Sequence, residues 1–263
     1  MSRIYKSEKQ LSQKKKFHKK WDKIFEYKRD DSLSSIIDHL KFLDSKKEFS
    51  ECMVTLNNFD EMRAIYVSTG VSRLFGYSPK EYIDEEYFFY RGGTHLQPGY
   101  ILDTVRCVKH FQDLGLGQPA TDVKFITGGV SFQHKDGTQK RVISALHVDK
   151  IEGGTMPHIG IMVHHDVTEL MKGDDYWIYQ EMSLREGRTC RFYEKENIEN
   201  HLVSQREHEV LRLIAKGYSS RAIAEELCIS TATVSQHRKN MLKRTNSKDT
   251  SALIQICKIC EIL

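Results

Sequence analysis

The sequence has no apolar run approaching the roughly 18 residues that a membrane span requires. Its basic start is not followed by the apolar core of a secretory signal, so the chain is expected to remain in the cytoplasm. Cysteine is sparse: Cys52, Cys107, Cys190, Cys228, Cys257 and Cys260 are scattered over 263 residues. That spread excludes the dense disulfide framework of a small secreted domain and points to reduced thiols. Also missing are a glycine-rich phosphate loop, a nucleophile elbow, a paired metal-histidine helix and the signature segments of kinases. The acidic cluster that surrounds a phosphoacceptor aspartate is absent too. An enzyme is therefore not expected. No internal repeat is visible, and no low-complexity tract beyond the lysine-rich start.

What is present fits a soluble chain with two cores. At 263 residues it is long for one, and its 39% hydrophobic, 10% aromatic and 29% charged residues can bury substantial apolar surface. The net charge of +4 is unevenly distributed. Residues 1–50 hold 14 Lys+Arg against 8 Asp+Glu, residues 51–203 hold 16 against 22, and residues 204–263 hold 10 against 6. A polyanion would therefore meet the basic ends and not the acidic middle.

The first 48 residues read as a basic helical extension. Phe17, Trp21, Ile24 and Phe25 recur at helical spacing among lysines, and Ile36, Ile37, Leu40 and Leu43 mark a second amphipathic helix. The first fits packing and dimerisation best, with a phosphate contact or a membrane surface as alternatives. From residue 49 to 170 the period becomes that of strands. CMVTL and RAIYVS are short; DVKFITGGVSFQ, TQKRVISALHVD and HIGIMVHHDV are longer. The last three are divided by HKDG (His134 to Gly137) and IEGGTMP (Ile151 to Pro157), which predict an antiparallel meander. The expectation is an α+β domain with a five-stranded sheet and helices on one side. Residues 171–203, charged and aromatic, read as a linker.

Residues 204–263 carry the clearest pattern. Ser204-Gln205-Arg206-Glu207 is a capping box before Val210, Leu211, Leu213 and Ile214. A second helix spans Arg221 to Leu227. Ser230 can cap a third, with Val234, Met241 and Leu242 facing inward, and Ser247 a fourth bearing Leu253, Ile256, Cys257 and Cys260. Four short helices with a tight second-to-third turn describe a helix-turn-helix. Residues 204–253 resemble the LuxR-type DNA-binding domain through Arg206-Glu207, Glu209-Val210-Leu211, Ala215-x-Gly217, Ile223-Ala224, Leu227, Ile229-Ser230, Thr233-Val234, His237 and Lys243. Two departures are Ala222, where the family commonly has glutamate, and Arg244-Thr245, where leucine usually follows the lysine.

The third helix, within ISTATVSQHRKNMLKR, holds four cations and no acid. Small residues in its first turn would let it enter the major groove. Ser235, Gln236 and Lys239 are then candidates for base readout, and Thr231, Thr233, Arg238 and Lys243 for phosphate. His237 is open between a phosphate contact and packing. The Cys257-Lys258-Ile259-Cys260 pair lacks the two further ligands of a zinc site and reads as core packing. The resemblance implies a last helix in the dimer contact, where these thiols would approach their twofold mates.

In the middle region, Tyr66-Val67-Ser68, Leu74-Phe75-Gly76-Tyr77-Ser78-Pro79, Phe132 to Thr138 and Gly160 to Glu169 resemble, in order, the segments of a PAS sensor domain. That resemblance implies a ligand cavity. The cofactor is unknown: a haem would need an axial ligand such as His95, His110, His147, His164 or His165, but lone strand histidines are usually structural. By alternation Phe125, Val142 and His147 could line a pocket. Together the resemblances imply a bacterial transcription regulator, binding double-stranded DNA as a homodimer under a small-molecule or partner signal. The alternative is a ligand-free PAS adaptor tethered to DNA. An autoinducer receptor fits the middle segments less well.

Overall fold

A computed structural model of the protein describes residues 33–58, 63–84, 99–115, 120–151, 159–184, 187–199 and 201–263. The basic helix read at residues 14–28, the turn residues 152–158 and His95 lie outside the described residues. The first described helix, α1 (Leu33–Ser45), places Leu40 and Leu43 in the core and Ile36 and Ile37 against it, as the helical spacing predicts.

Among the described residues, strands β1 (Met53–Asn58) and β2 (Arg63–Val67) are followed by three helices: α2 (Val71–Phe75), α3 (Pro79–Asp84) and α4 (Tyr100–Gly115). The long strands β3 (Ala120–Gln133), β4 (Gln139–Ile151) and β5 (Ile159–Asp166) form the expected antiparallel meander. Its first turn is built as HKDG predicts. The Asp136 carboxylate accepts from the backbone N–H and hydroxyl of Thr138, and Gly137 takes the left-handed φ of +90°. Asp166 likewise accepts from the N–H and hydroxyl of Thr168 and so ends β5.

The sheet is larger than the five strands expected. Among the described residues it has eight, in the order β2-β1-β5-β4-β3-β6-β7-β8. The additions are β6 (Trp177–Leu184), β7 (Gly187–Glu194) and β8 (Asn197–Glu199), all within the segment read as linker. Charge concealed them. Glu181, Arg188 and Arg191 suggested a solvated connection, yet Glu181 and Arg188 pair across adjacent strands at 2.7 Å, while Trp177, Ile178 and Phe192 point into the protein.

Helices cover both faces, not one. Met53, Val130, Val142, Ile178 and Tyr193 pack beneath Leu74, Phe75, Tyr82 and Cys107 of α2–α4. On the opposite face Val54, Leu56, Ile161, Val163, Trp177 and Phe192 pack with α1, with Ile256 of the last helix and with Cys260 just beyond it. The three residues that alternation offered as pocket-lining divide between the two faces. Val142 and Phe125 belong to the face covered by α2–α4, whereas the His147 ring lies 3.9 Å from Glu261 on the other. Alternation puts positions of opposite parity on opposite faces.

Candidate nucleic-acid interface

Four helices end the chain: α5 (Gln205–Ala215), α6 (Ser220–Glu226), α7 (Thr231–Arg244) and α8 (Thr250–Ile259). Each start is fixed by a side chain. Ser204 and Glu207 form the reciprocal capping box, with the Glu207 carboxylate accepting from the Ser204 N–H at 2.9 Å. Ser219 caps α6 and Ser230 caps α7, accepting from the N–H groups of Ala222 and Thr233. The cap of α8 is Asp249, not Ser247, which is buried two residues earlier. Val210, Leu211, Ile214, Ile223, Val234, Met241, Leu253 and Cys257 make the common core.

The turn between α6 and α7 is tight because Cys228 adopts a left-handed φ of +52°. Arg206 braces it, donating to the Leu227 carbonyl at 2.6 Å and to the Glu209 carboxylate. At the far end of α7, Arg244 donates to the buried Glu207 carboxylate and to the Leu202 carbonyl. Burial alone would raise the Glu207 pKa, but the bonds from Arg244 and from the Ser204 N–H outweigh it and hold the carboxyl below its ordinary value. Arg244 therefore belongs to the internal structure of the bundle.

The candidate contact residues fall into three groups. Ser235, Gln236 and Lys239 are exposed, one helical turn apart at most, and all on the solvent side opposite Val234 and Met241. The Ser235 hydroxyl donates to the Thr231 carbonyl, and the Gln236 amide donates to Asn240 at 2.8 Å. Thr231, Thr233 and Lys243 are also exposed; the Thr233 hydroxyl shares a hydrogen bond with Ser230. Arg238 differs. Half-buried, it donates to the Ser220 hydroxyl at 2.9 Å and ties α7 to α6. His237 is half-buried as well. Sequence reasoning passed over Asn240 and Ser220, although the Gln236-Asn240 spacing of four was a legible polar pair. Lys243 and Arg244 also stand where cations favour the negative end of the helix dipole.

The other chemistry considered is not assembled. Cys257 and Cys260 are buried, and burial pushes the Cys257 thiol up to about 12 and Cys260 well above its ordinary value. Among the described residues no group of three or more histidines, cysteines and carboxylates is placed to hold a metal ion. No described helix is long and apolar enough to cross a membrane. His164 is buried in the sheet, its two ring nitrogens meeting the Thr55 and Ser144 hydroxyls at 3.1 and 2.8 Å. Burial, helped by neighbouring His165, lowers its pKa to about 3, so the ring is neutral.

Residues 201–257 match the family described as bacterial regulatory proteins, luxR family. The C-terminal unit is thus a LuxR-family helix-turn-helix domain, and that family consists of transcription regulators, not enzymes. Over 59 residues it is 44% identical to the transcriptional regulatory protein DegU of Brevibacillus brevis. Over 54 residues it is 41% identical to the oxygen regulatory protein NreC of Staphylococcus carnosus. These matches cover 22% and 20% of this chain and span 25% of the length of each relative.

Two solved structures resemble the chain more broadly but loosely. One is the Vibrio cholera VqmA-ligand-DNA complex, with TM-score 0.31 and 13% identity over 82% of this chain and 86% of that one. The other is SdiA in complex with octanoyl-rac-glycerol, with TM-score 0.24 and 11% identity over 97% and 96%. Both scores are too low to define a shared overall fold.

Proposed function

We propose that the protein is a sequence-reading transcription regulator in which α7 enters the major groove of double-stranded DNA and the sheet domain carries the signal. One observation supports this most: the exposed face of α7 offers Ser235, Gln236 and Lys239 in a helix without an acid, held at a fixed angle by the Arg206 and Arg238 braces. Thr231, Thr233 and Lys243 flank that face and would position it on phosphates; Arg238 adds to this if its bond to Ser220 is exchanged for one to phosphate. The regulator acts as a homodimer on two half-sites about 34 Å apart, one turn of DNA.

The sheet domain is read as PAS-like, and the order β2-β1-β5-β4-β3 with α2–α4 over one face supports that reading. Its signal is a small molecule or a protein partner. The second reading is a ligand-free adaptor that pairs with another protein and is tethered to DNA by its basic module. Thermal stabilisation by a co-purifying or added small molecule would decide for the first.

The test of DNA reading is to incubate the full-length protein with fragmented DNA from its source organism and sequence what is retained. Enrichment of a shared, twofold-symmetric site is the expected result. Retention that is salt-sensitive but shows no shared site would contradict sequence reading.

A further inference from the structure

The C-terminal end of the reading helix is joined to the sheet domain. In the turn between α7 and α8, Thr245 and Ser247 are fully buried polar residues with their hydroxyls 2.6 Å apart. Arg244-Thr245 is one of the two departures from the LuxR-type pattern, in which leucine usually follows the lysine. The backbone of this turn pairs with the segment that leads into β6. Met171 bridges Ser247 in antiparallel fashion, the Lys172 N–H donates to the Asn246 carbonyl at 2.8 Å, and the Lys248 N–H donates to the Leu170 carbonyl at 2.9 Å. Two side chains complete the joint: the Asn246 amide donates to the Asp175 carbonyl, and the Trp177 indole N–H donates to the Thr245 carbonyl at 3.2 Å.

The sheet is shaped to make this joint. A Cβ on Gly128 would fall 2.2 Å from the Trp177 ring, so only glycine lets the indole lie there. At Gly129 a bulge with φ +77° makes room for Arg141 and Met171. Buried Arg141 then donates to the carbonyls of Gly129, Gly173 and Asp175, fixing the segment that Asn246 touches. A second tie, the buried Lys124-Glu261 ion pair, holds Glu261, two residues beyond α8, to β3. None of this covers Ser235, Gln236 or Lys239, which remain exposed.

We infer that the Thr245-Asn246-Ser247 turn is a docking element through which the sheet domain orients the reading helix, and that the docked form is the one competent for DNA. Trp177 is on this account a positioning residue for sequence reading. The inference rests on the proposed DNA function, because a joint that leaves the reading face open acts by orientation and not by masking. A signal that shifts β3 or β6 would reach α7 through Gly128, Trp177 and Thr245.

The test uses the full-length chain and two readouts. Amide exchange at Lys172 and Lys248 reports docking, since both N–H groups would otherwise belong to exposed loops. Affinity for a duplex selected by the parent from a random-sequence pool reports orientation. The variant is Trp177→Phe with Asn246→Gly; glycine keeps the left-handed φ of +54° at position 246 while deleting the amide contact. Asn246→Gly alone is the milder arm and moves both readouts in the same direction. Both amides should be protected in the parent and exchange about tenfold faster in the double variant, with affinity for the duplex falling by about the same factor. Unprotected amides in the parent would overturn docking. Faster exchange with unchanged or improved affinity would overturn orientation. A parent that selects no duplex defeats the DNA reading itself, and the exchange result then still decides docking separately.

Discussion

Arg244, in the last turn of α7, donates to the carboxylate of Glu207 in the first turn of α5, and so closes the bundle from the end of the reading helix back to its first capping box. Position 244 begins one of the two departures from the family pattern, yet the guanidinium answers a specific need: Glu207 is buried and its charge requires a partner. Arg244→Met should leave that charge uncompensated and cost about 3 kcal/mol in urea unfolding followed by helix ellipticity. The pH dependence follows from the lowered Glu207 pKa. Its contribution is present above the ordinary carboxyl value and is lost as pH falls through the depressed folded value. Without Arg244 burial is no longer outweighed, so this acid-dependent loss should shrink or vanish; an unchanged acid limb would show that the pair contributes nothing.

The exposed cations of α7 should separate by role. Lys239→Ala is expected to lower discrimination between a selected duplex and a scrambled one by about 1–3 kcal/mol. Lys243→Ala is expected to weaken binding to both duplexes alike and to reduce the salt slope by about one. Titrations at several salt concentrations decide this, and equal, sequence-independent losses for both variants would refute the division.

Gly128 should tolerate no side chain. A methyl at 2.2 Å from the Trp177 ring requires the indole or the strand to move, and overpacking of this kind costs about 1–3 kcal/mol or more. Gly128→Ala should therefore lower the thermal midpoint, whereas Gly137→Ala, with open space around it but a left-handed φ, should cost less. The reverse ranking would mean that the indole does not lie against β3.

His164 gives the sheet domain a distinctive acid response. Its folded pKa of about 3 lies below the ordinary 6.5, so between those values the unfolded chain binds the extra proton. Stability from this residue is full above about pH 6.5 and is lost as pH falls toward 3, with a slope of up to about 1.4 kcal/mol per pH unit. His164→Gln should flatten the stability curve between about pH 6.5 and 5, before the carboxylates titrate. A curve of unchanged slope would place the ring in contact with water.

The helix-turn-helix was legible because its signals are local: Ser204 and Ser230 cap the helices they precede, and Val234 and Met241 recur at helical spacing. The meander was legible from the turn chemistry of Asp136 and Gly137. What escaped depends on partners distant in sequence. The strands β6–β8 find theirs in β3 and in one another, and their charges are paired across strands. Ser247 looked like a cap because its type suits one, but its burial against Thr245 and Met171 is a consequence of the joint to the sheet. Gly128 and Gly129 were visible inside a strand, and only the folded chain shows that Trp177 and Arg141 occupy the space they leave.

Base reading by α7 is what ties the proposed function together. The most direct measurement is the ratio of affinities for a selected and a scrambled duplex at one fixed salt concentration, for the parent and for Ser235→Ala, Gln236→Ala, Lys239→Ala combined. A parent ratio of at least about 10³ is expected, collapsing toward one in the triple variant while scrambled-duplex binding persists. A parent ratio near one, or a ratio that survives the triple substitution, would contradict it.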